Sequence, residues 1–236
     1  MSIAENVARM KAEITKAAIA AGRKPEEITL CAATKMNDAS AVREAIAAGV
    51  DCCGENKVQE LTAKLAENAY EGAPVHFIGH LQTNKVKFVV GKVDLIQSVD
   101  SERLLAAIDK EARKQGIIQD ILLEVNVGQE ESKSGFHPDA VLPLIKKIPE
   151  YPNIRVKGLM TIPPISQKNG DNVKFFQKMC NISVDIIALL GDNGMAKYLS
   201  MGMSDDFADA IANGSTMIRV GTAIFGARDY TKLHQT

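Results

Sequence analysis

The chain has 236 residues, a net charge of −1, 46% hydrophobic and 24% charged residues. That is an ordinary globular composition with enough length for one sizeable core, and the lack of a basic run argues against nucleic acid as a partner. No segment approaches the length of an apolar membrane span, and the amphipathic start MSIAENVARMKAEITK lacks a signal peptide's apolar run and cleavage site. A cytoplasmic protein that does not engage a membrane is expected.

Ile3, Val7, Met10, Ile14 and Ala18 recur at helical spacing, so the chain opens on an amphipathic helix that Gly22 and Pro25 end. Strand-like and helical runs then alternate. Eight strand candidates follow: 28–35, 50–55, 75–80, 93–100, 120–127, 154–162, 197–204 and 216–226. Between them lie helical stretches such as DASAVREAIAAG, NKVQELTAKLAEN, SERLLAAIDKEARKQG and SDDFADAIANG, several opening on Asp, Asn or Ser and closing on Gly, as helix caps require. Apolar strands each followed by a helix imply a parallel sheet covered on both faces. Eight such units fit an α/β fold, a single (β/α)8 TIM barrel with an extra N-terminal helix, spanning 1–236 as one domain. An open doubly wound sheet stays possible, since periodicity does not show closure. No GxGxxG follows the first strand, which weakens a dinucleotide site.

The four cysteines (Cys31, Cys52, Cys53 and Cys180) have no CxxC spacing and no matching histidine cluster, so buried reduced thiols are expected, with no metal. His76 and His80 stand four apart in a strand candidate without further ligands in view, which favours hydrogen bonding over zinc.

In such a barrel the active site lies where the strands end. Lys35 closes the first strand after the small residues Ala32, Ala33 and Thr34. Partial desolvation there keeps some amine neutral and nucleophilic, as attachment to an aldehyde requires, although a strand-end lysine can simply reach solvent. The loops after strands seven and eight of a barrel commonly bind phosphate. Here the first offers Ser204, placed to cap a helix, and the second offers the backbone N–H groups of Gly221 and Thr222; turn chemistry alone is the plain alternative for the glycine. Arg219 interrupts an apolar strand two residues before Gly221, either as a rim salt bridge or as a partner for a ring nitrogen, a role arginine takes in pyridoxal 5′-phosphate (PLP) sites. Together these residues suit the two ends and the reactive carbon of one flat cofactor.

The segments TK (34–35), GENKVQE (54–60), HFIGHLQTNK (76–85), VDLIQSVD (93–100), EVN (124–126), ESKSGF (131–136), GLMTIPP (158–164), LSMGMSDDF (199–207) and IRVGTAIFGARDY (218–230) span almost the whole chain. In their order it resembles the YggS/PROSC family of PLP homeostasis proteins, whose barrel is similar to the N-terminal domain of alanine racemase. The resemblance implies PLP as cofactor, held as a Schiff base on Lys35. It implies Arg219 at the pyridine nitrogen, phosphate contacts at Ser204, Gly221 and Thr222 together with Ser200, and Asn56 lining the site. Val75 and the segment Met36-Asn37-Asp38 depart from the family's usual residues at the rim. Lys133 lies in ESKSG, which reads as an exposed loop.

An arginine at the ring nitrogen leaves it unprotonated and weakens the ring as an electron sink, and racemisation needs acid–base groups on both faces of the substrate carbon. The chain stops ten residues after Gly226, so no second domain is expected to supply a catalytic tyrosine. Tyr70, Tyr151, Tyr198 and Tyr230 fall in a helix, a loop, a strand start and the tail. The expectation is a non-catalytic monomer that buffers PLP or passes it to PLP-dependent apoenzymes, and that deals with PLP-synthesising enzymes. An amino-acid racemase or other low-activity fold type III enzyme is the alternative, and a cofactor-free scaffold the third.

Overall fold

The computed structural model describes residues 1–165, 168, 170–190 and 197–226, with the backbone alone at Leu190. Tyr230 and His234 therefore lie outside the described residues, as does part of the Pro163–Gly170 loop.

Helix α1 (Ile3–Ala20) precedes β1 (Thr29–Ala33), α2 (Ala39–Ala47), β2 (Cys52–Glu55), α3 (Val58–Ala66) and β3 (Val75–Phe77). A 3-10 helix, Thr83–Phe88, makes the next crossover to β4 (Leu95–Val99), followed by α4 (Glu102–Gln115) and β5 (Gln119–Glu124). Then come α5 (Val141–Lys147), β6 (Ile154–Met160), α6 (Val173–Leu190), β7 (Tyr198–Ser200), α7 (Phe207–Ala212), β8 (Met217–Val220) and the four-residue α8 (Thr222–Phe225). The strands pair in chain order, all parallel, and β8 returns to β1, so the sheet is a closed barrel and not the open alternative.

Strand polarity follows from burial on both faces. Leu30, Ala32, Cys53, Phe77, Ile96, Val156 and Ile218 pack outward in the layer beneath the helices. Cys31, Cys52, Leu95, Leu122, Met160 and Met217 form a separate buried cluster inside the barrel. The strand starts are tied by carboxylates: the Leu30 N–H donates to Asp51 Oδ2 at 2.7 Å, and the Val75 N–H to Asp94 Oδ2 at 2.7 Å. Each aspartate stands just before the neighbouring strand, so one side chain fixes two strands at the bottom of the barrel.

Caps account for the helix boundaries. Ser2 and Glu5 form a capping box on α1, Asp38 accepts from the Ala41 N–H, Ser101 from the Leu104 N–H, and left-handed Gly116 ends α4. The α1 face expected to be apolar is the buried one, with Val7, Met10, Ile14 and Ala18 inside. This helix braces the last turn of the barrel, because Asn6 Nδ2 donates to the Ile224 carbonyl at 2.9 Å and Arg9 to that of Ala223 at 3.2 Å.

Every strand is shorter than the run expected from sequence, and the last two by the most. The run 216–226 is a strand only to Val220; the chain then turns into α8, whose Ile224 and Phe225 N–H groups donate to the Gly221 carbonyl. The run 197–204 pairs only over Tyr198–Ser200. Ser204 does not cap α7, because the residue before that helix is Asp206, whose Oδ1 instead accepts from the Met203 N–H at 2.7 Å. Apolar runs look strand-like whether or not a neighbouring strand is long enough to pair with them.

Close backbone approach sets one position at the mouth. A Cβ on Gly79 would sit 2.1 Å from the Asn56 carbonyl oxygen. Gly79→Ala is therefore expected to lower stability by about 3 kcal/mol, read from urea denaturation; an unchanged midpoint would mean that the Asn56 segment can retreat.

Candidate functional site

The C-terminal ends of the strands enclose a cavity of about 210 Å³ lined by Ala33, Lys35, Asn56, Ile78, Ile162, Met203, Ser204, Asp205, Arg219, Gly221 and Thr222. Six of the seven residues expected at a cofactor site thus share one wall system: Lys35, Asn56, Ser204, Arg219, Gly221 and Thr222. The seventh, Ser200, does not reach the cavity. It is fully buried at the end of β7, where its hydroxyl accepts from Arg219 Nη1 at 2.6 Å and donates to Gln97 Oε1 at 2.7 Å. Ser204 reaches the cavity because it lies beyond the strand, in the following loop, four residues above Ser200.

Lys35 leaves the end of β1 on a tightly held turn. Met36 has φ 64°, a left-handed conformation that costs a side-chain-bearing residue strain. Its N–H donates to Glu60 Oε2 at 2.6 Å, and Asn37 Nδ2 donates to the Lys35 carbonyl at 3.0 Å. Behind this turn lies a buried ion pair, Lys64 with Glu55 at 2.5 Å. Lys64 Nζ also donates to the Thr34 carbonyl at 2.7 Å, and Thr34 Oγ1 to Glu55 Oε1 at 2.5 Å. The residue before the candidate nucleophile is thereby held by both partners of a charge pair, a role that nothing in the sequence pattern around Glu55 and Lys64 signalled.

Arg219 is 6% exposed. It is held by a hydroxyl and a carbonyl, Ser200 Oγ and Thr161 O (2.8 Å from Nη2), and not by a rim carboxylate. Burial lowers its pKa, while the charges of Cys31, Glu124 and Asp206 act the other way. On the cavity's other side, Ser204 Oγ and Thr222 Oγ1 are 3.5 Å apart, bridging the loops after β7 and β8. Gly221 is not demanded by its backbone angles; a Cβ there would meet Ala33 at an ordinary 3.6 Å. Asn56 Oδ1 is buried without a hydrogen-bond partner among the described residues, an unsatisfied polar atom in the wall.

Next to this site, His80 and Asp100 form a 3.1 Å pair at the mouth, and Glu124 is buried at the end of β5. Burial, reinforced by the Asp100 charge, pushes the Glu124 carboxyl up to about 7, with Arg219 and His80 opposing the shift. Under Arg219 a second set converges. Cys31 and Cys52 stand opposite one another on β1 and β2, with His76 beside them. Hydrogen bonding to Cys52 draws the Cys31 thiol below its usual pKa and pushes Cys52 above its own. The absence of a histidine cluster near the cysteines, expected from spacing alone, is corrected by the barrel: residues 24 apart become neighbours when their strands pair. None of the four cysteines forms a disulfide; Cys31, Cys52 and Cys53 are buried as expected, whereas Cys180 is half-buried. Among the described residues no helix is long and apolar enough to cross a membrane.

A parallel barrel with an amine, a buried guanidinium and a hydroxyl-lined β8 turn at its mouth is the architecture of a cofactor-binding α/β barrel. The profile of the alanine racemase N-terminal domain matches residues 2–229. The pyridoxal phosphate homeostasis proteins of Aquifex aeolicus and Escherichia coli are 41% and 40% identical to the chain, covering 98% of it and 100% and 98% of themselves. PipY of Synechococcus elongatus, solved with PLP bound, superposes with a TM-score of 0.81 at 31% identity, covering 95% of this chain and 100% of its own. The chain belongs to the alanine racemase N-terminal domain family, among its pyridoxal phosphate homeostasis proteins.

Two measurements probe this geometry. Lys64→Met strands the Glu55 carboxylate in the core and is expected to cost about 3–5 kcal/mol, whereas Lys64→Met with Glu55→Gln should regain part of that loss; equal losses would mean that the pair does not hold the β1 end. A carboxyl with a raised folded pKa binds its proton more tightly when folded, so Glu124 lets stability fall as pH rises from its unfolded value near 4.5 to about 7. Glu124→Gln should flatten the thermal-stability profile across that window, by about 3 kcal/mol at most.

Proposed function

We propose that the chain, as one barrel domain over residues 1–236, binds PLP in the mouth cavity, carries it as a Schiff base on Lys35, and serves intracellular PLP homeostasis without catalysing turnover. The observation that carries this reading is the convergence of Lys35, Arg219 and the Ser204–Gly221–Thr222 turn on one cavity. The binding of PLP by PipY, a full-length relative, supports the choice of cofactor.

The residues present fit that group. The cofactor supplies an aldehyde that can attach reversibly to an amine and a ring that can withdraw electrons. Lys35, half-buried on its strained turn, is the amine. Arg219 presents hydrogen-bond donors only, so it suits an unprotonated ring nitrogen. Ser204 and Thr222 offer hydroxyls, and Gly221 and Thr222 backbone N–H groups, to a phosphate. Asn56 brings a buried amide with an end still to satisfy. Ser200 positions Arg219 from below and does not itself touch the cofactor.

Among the described residues no tyrosine lines the cavity, and none is placed to act as a base on the face opposite Lys35. The proposed role is reversible storage and transfer to PLP-dependent apoenzymes, with exchange from the enzymes that make PLP, which needs the anchor and no second base. The homologues' names as homeostasis proteins support the same role. A cytoplasmic monomer is the working form in this reading. A low-activity amino-acid enzyme is the second reading, and Glu124 is the observation that favours it: a buried carboxyl beside Arg219 poised near neutrality can exchange protons.

Borohydride treatment of the PLP-loaded protein should leave the cofactor covalently on Lys35 by peptide mass mapping, and Lys35→Ala should abolish both label and colour. A protein that takes up no PLP would overturn the reading. Incubated with single-enantiomer amino acids in deuterium oxide, the loaded protein should incorporate no label at Cα; incorporation that disappears in Lys35→Ala would favour the enzyme.

A further inference from the structure

The cofactor reading leaves unused the buried set under the cavity floor. Cys31, Cys52 and His76 each offer one ligand atom, and these lie within 4.8 Å of one another. Cys52 Sγ is 3.5 Å from His76 Nδ1. Metal–sulfur bonds of about 2.3 Å and metal–nitrogen bonds of about 2.1 Å place the ligands of one ion about 3.5–4 Å apart, so a small contraction brings the three onto a common centre.

The surroundings suit a ligand set. Gly54 stands beside this cluster because a Cβ there would come within 2.9 Å of Cys31 Sγ. Gln97 Nε2 lies 2.9 Å from His76 Nδ1; as a donor it keeps that nitrogen unprotonated, and an ion bound there takes the lone pair in place of this hydrogen bond. Gln97 is itself fixed by Ser200 Oγ at 2.7 Å and reaches the thioether of Met217 at 3.1 Å. The strand register sets Cys31 between Cys52 on β2 and Arg219 on β8.

We propose that Cys31, Cys52 and His76 form a three-ligand site for one soft monovalent cation, Cu(I), inside the barrel. Thiolate and thioether surroundings select Cu(I) and zinc over harder ions. Zinc takes a fourth ligand in structural sites, and among the described residues the group that converges here holds three cysteine and histidine ligands. Charge also distinguishes the two ions. Loading Cu(I) releases both thiol protons without any change of oxidation state and leaves one net negative charge, which faces Arg219 across the register; Zn(II) would leave a neutral centre with no such attraction. Ala33 and Ile78, two residues beyond Cys31 and His76, line the mouth cavity, so the site lies directly beneath its floor.

The test uses the full chain, reduced and free of oxygen, titrated with Cu(I) against a chromogenic copper chelator. The wild type should retain one equivalent, with two sulfurs and one nitrogen in the copper shell by X-ray absorption. Cys31→Ala and Cys52→Ala should lose it, whereas Cys180→Ala and Lys35→Ala should keep it, which separates this outcome from failure of PLP binding. No retained copper, retention undiminished in Cys31→Ala/Cys52→Ala, or preferential retention of Zn(II) in direct competition would overturn the assignment. If the alanine variants do not fold, the wild-type spectrum decides, and a first shell without sulfur would overturn it.

Discussion

Pairing of β8 with β1 sets Cys31 opposite Arg219 and brings the end of β1 against the turn after β8. Lys35 and Gly221 come from opposite ends of the barrel's strand order, yet they face one cavity because that last pairing closes the sheet. Closure also decides which residues point inward. Once it is made, alternation along each strand delivers Cys31, Cys52, Met217 and Arg219 to the interior, with Arg219 at the boundary between dry core and open mouth.

A guanidinium at that boundary needs partners that do not neutralise it. Ser200 and Thr161 supply them with a hydroxyl and a carbonyl, so Arg219 stays oriented while its charge remains available to the cavity above and the sulfurs below. The hydrogen bonds continue from Ser200 through Gln97 to His76, which links the mouth to the buried cysteines across the barrel's width. Such a network is worth most when every member is satisfied, since the dry interior strengthens each bond and penalises each omission.

On the far side of β1 the logic differs. Lys64 and Glu55 form an ion pair outside the barrel, under α3, and through Thr34 they fix the strand end from which Lys35 projects. Removing two charges from water costs stability, so a pair in this place makes physical sense as a locating device. With Glu60 holding the Met36 N–H, the strained turn keeps its shape without help from a ligand.

The alternation of apolar strand and capped helix was legible in the chain, because burial on both faces and helix-cap chemistry are local and leave local patterns. That Lys35, Asn56, Ser204, Arg219, Gly221 and Thr222 lie together at one end of the barrel was legible too, because each stands at or just beyond a strand end in the chain's motifs. Closure, the early end of β8 at Val220 and the burial of Ser200 under Arg219 were not, since they depend on how far neighbouring strands extend. Nor was the meeting of Cys31, Cys52 and His76: spacings of 21 and 24 residues match no ligand motif and become contacts only through strand register. Local chemistry is written residue by residue along the chain, whereas which distant side chains share one space is decided by the closing of the barrel.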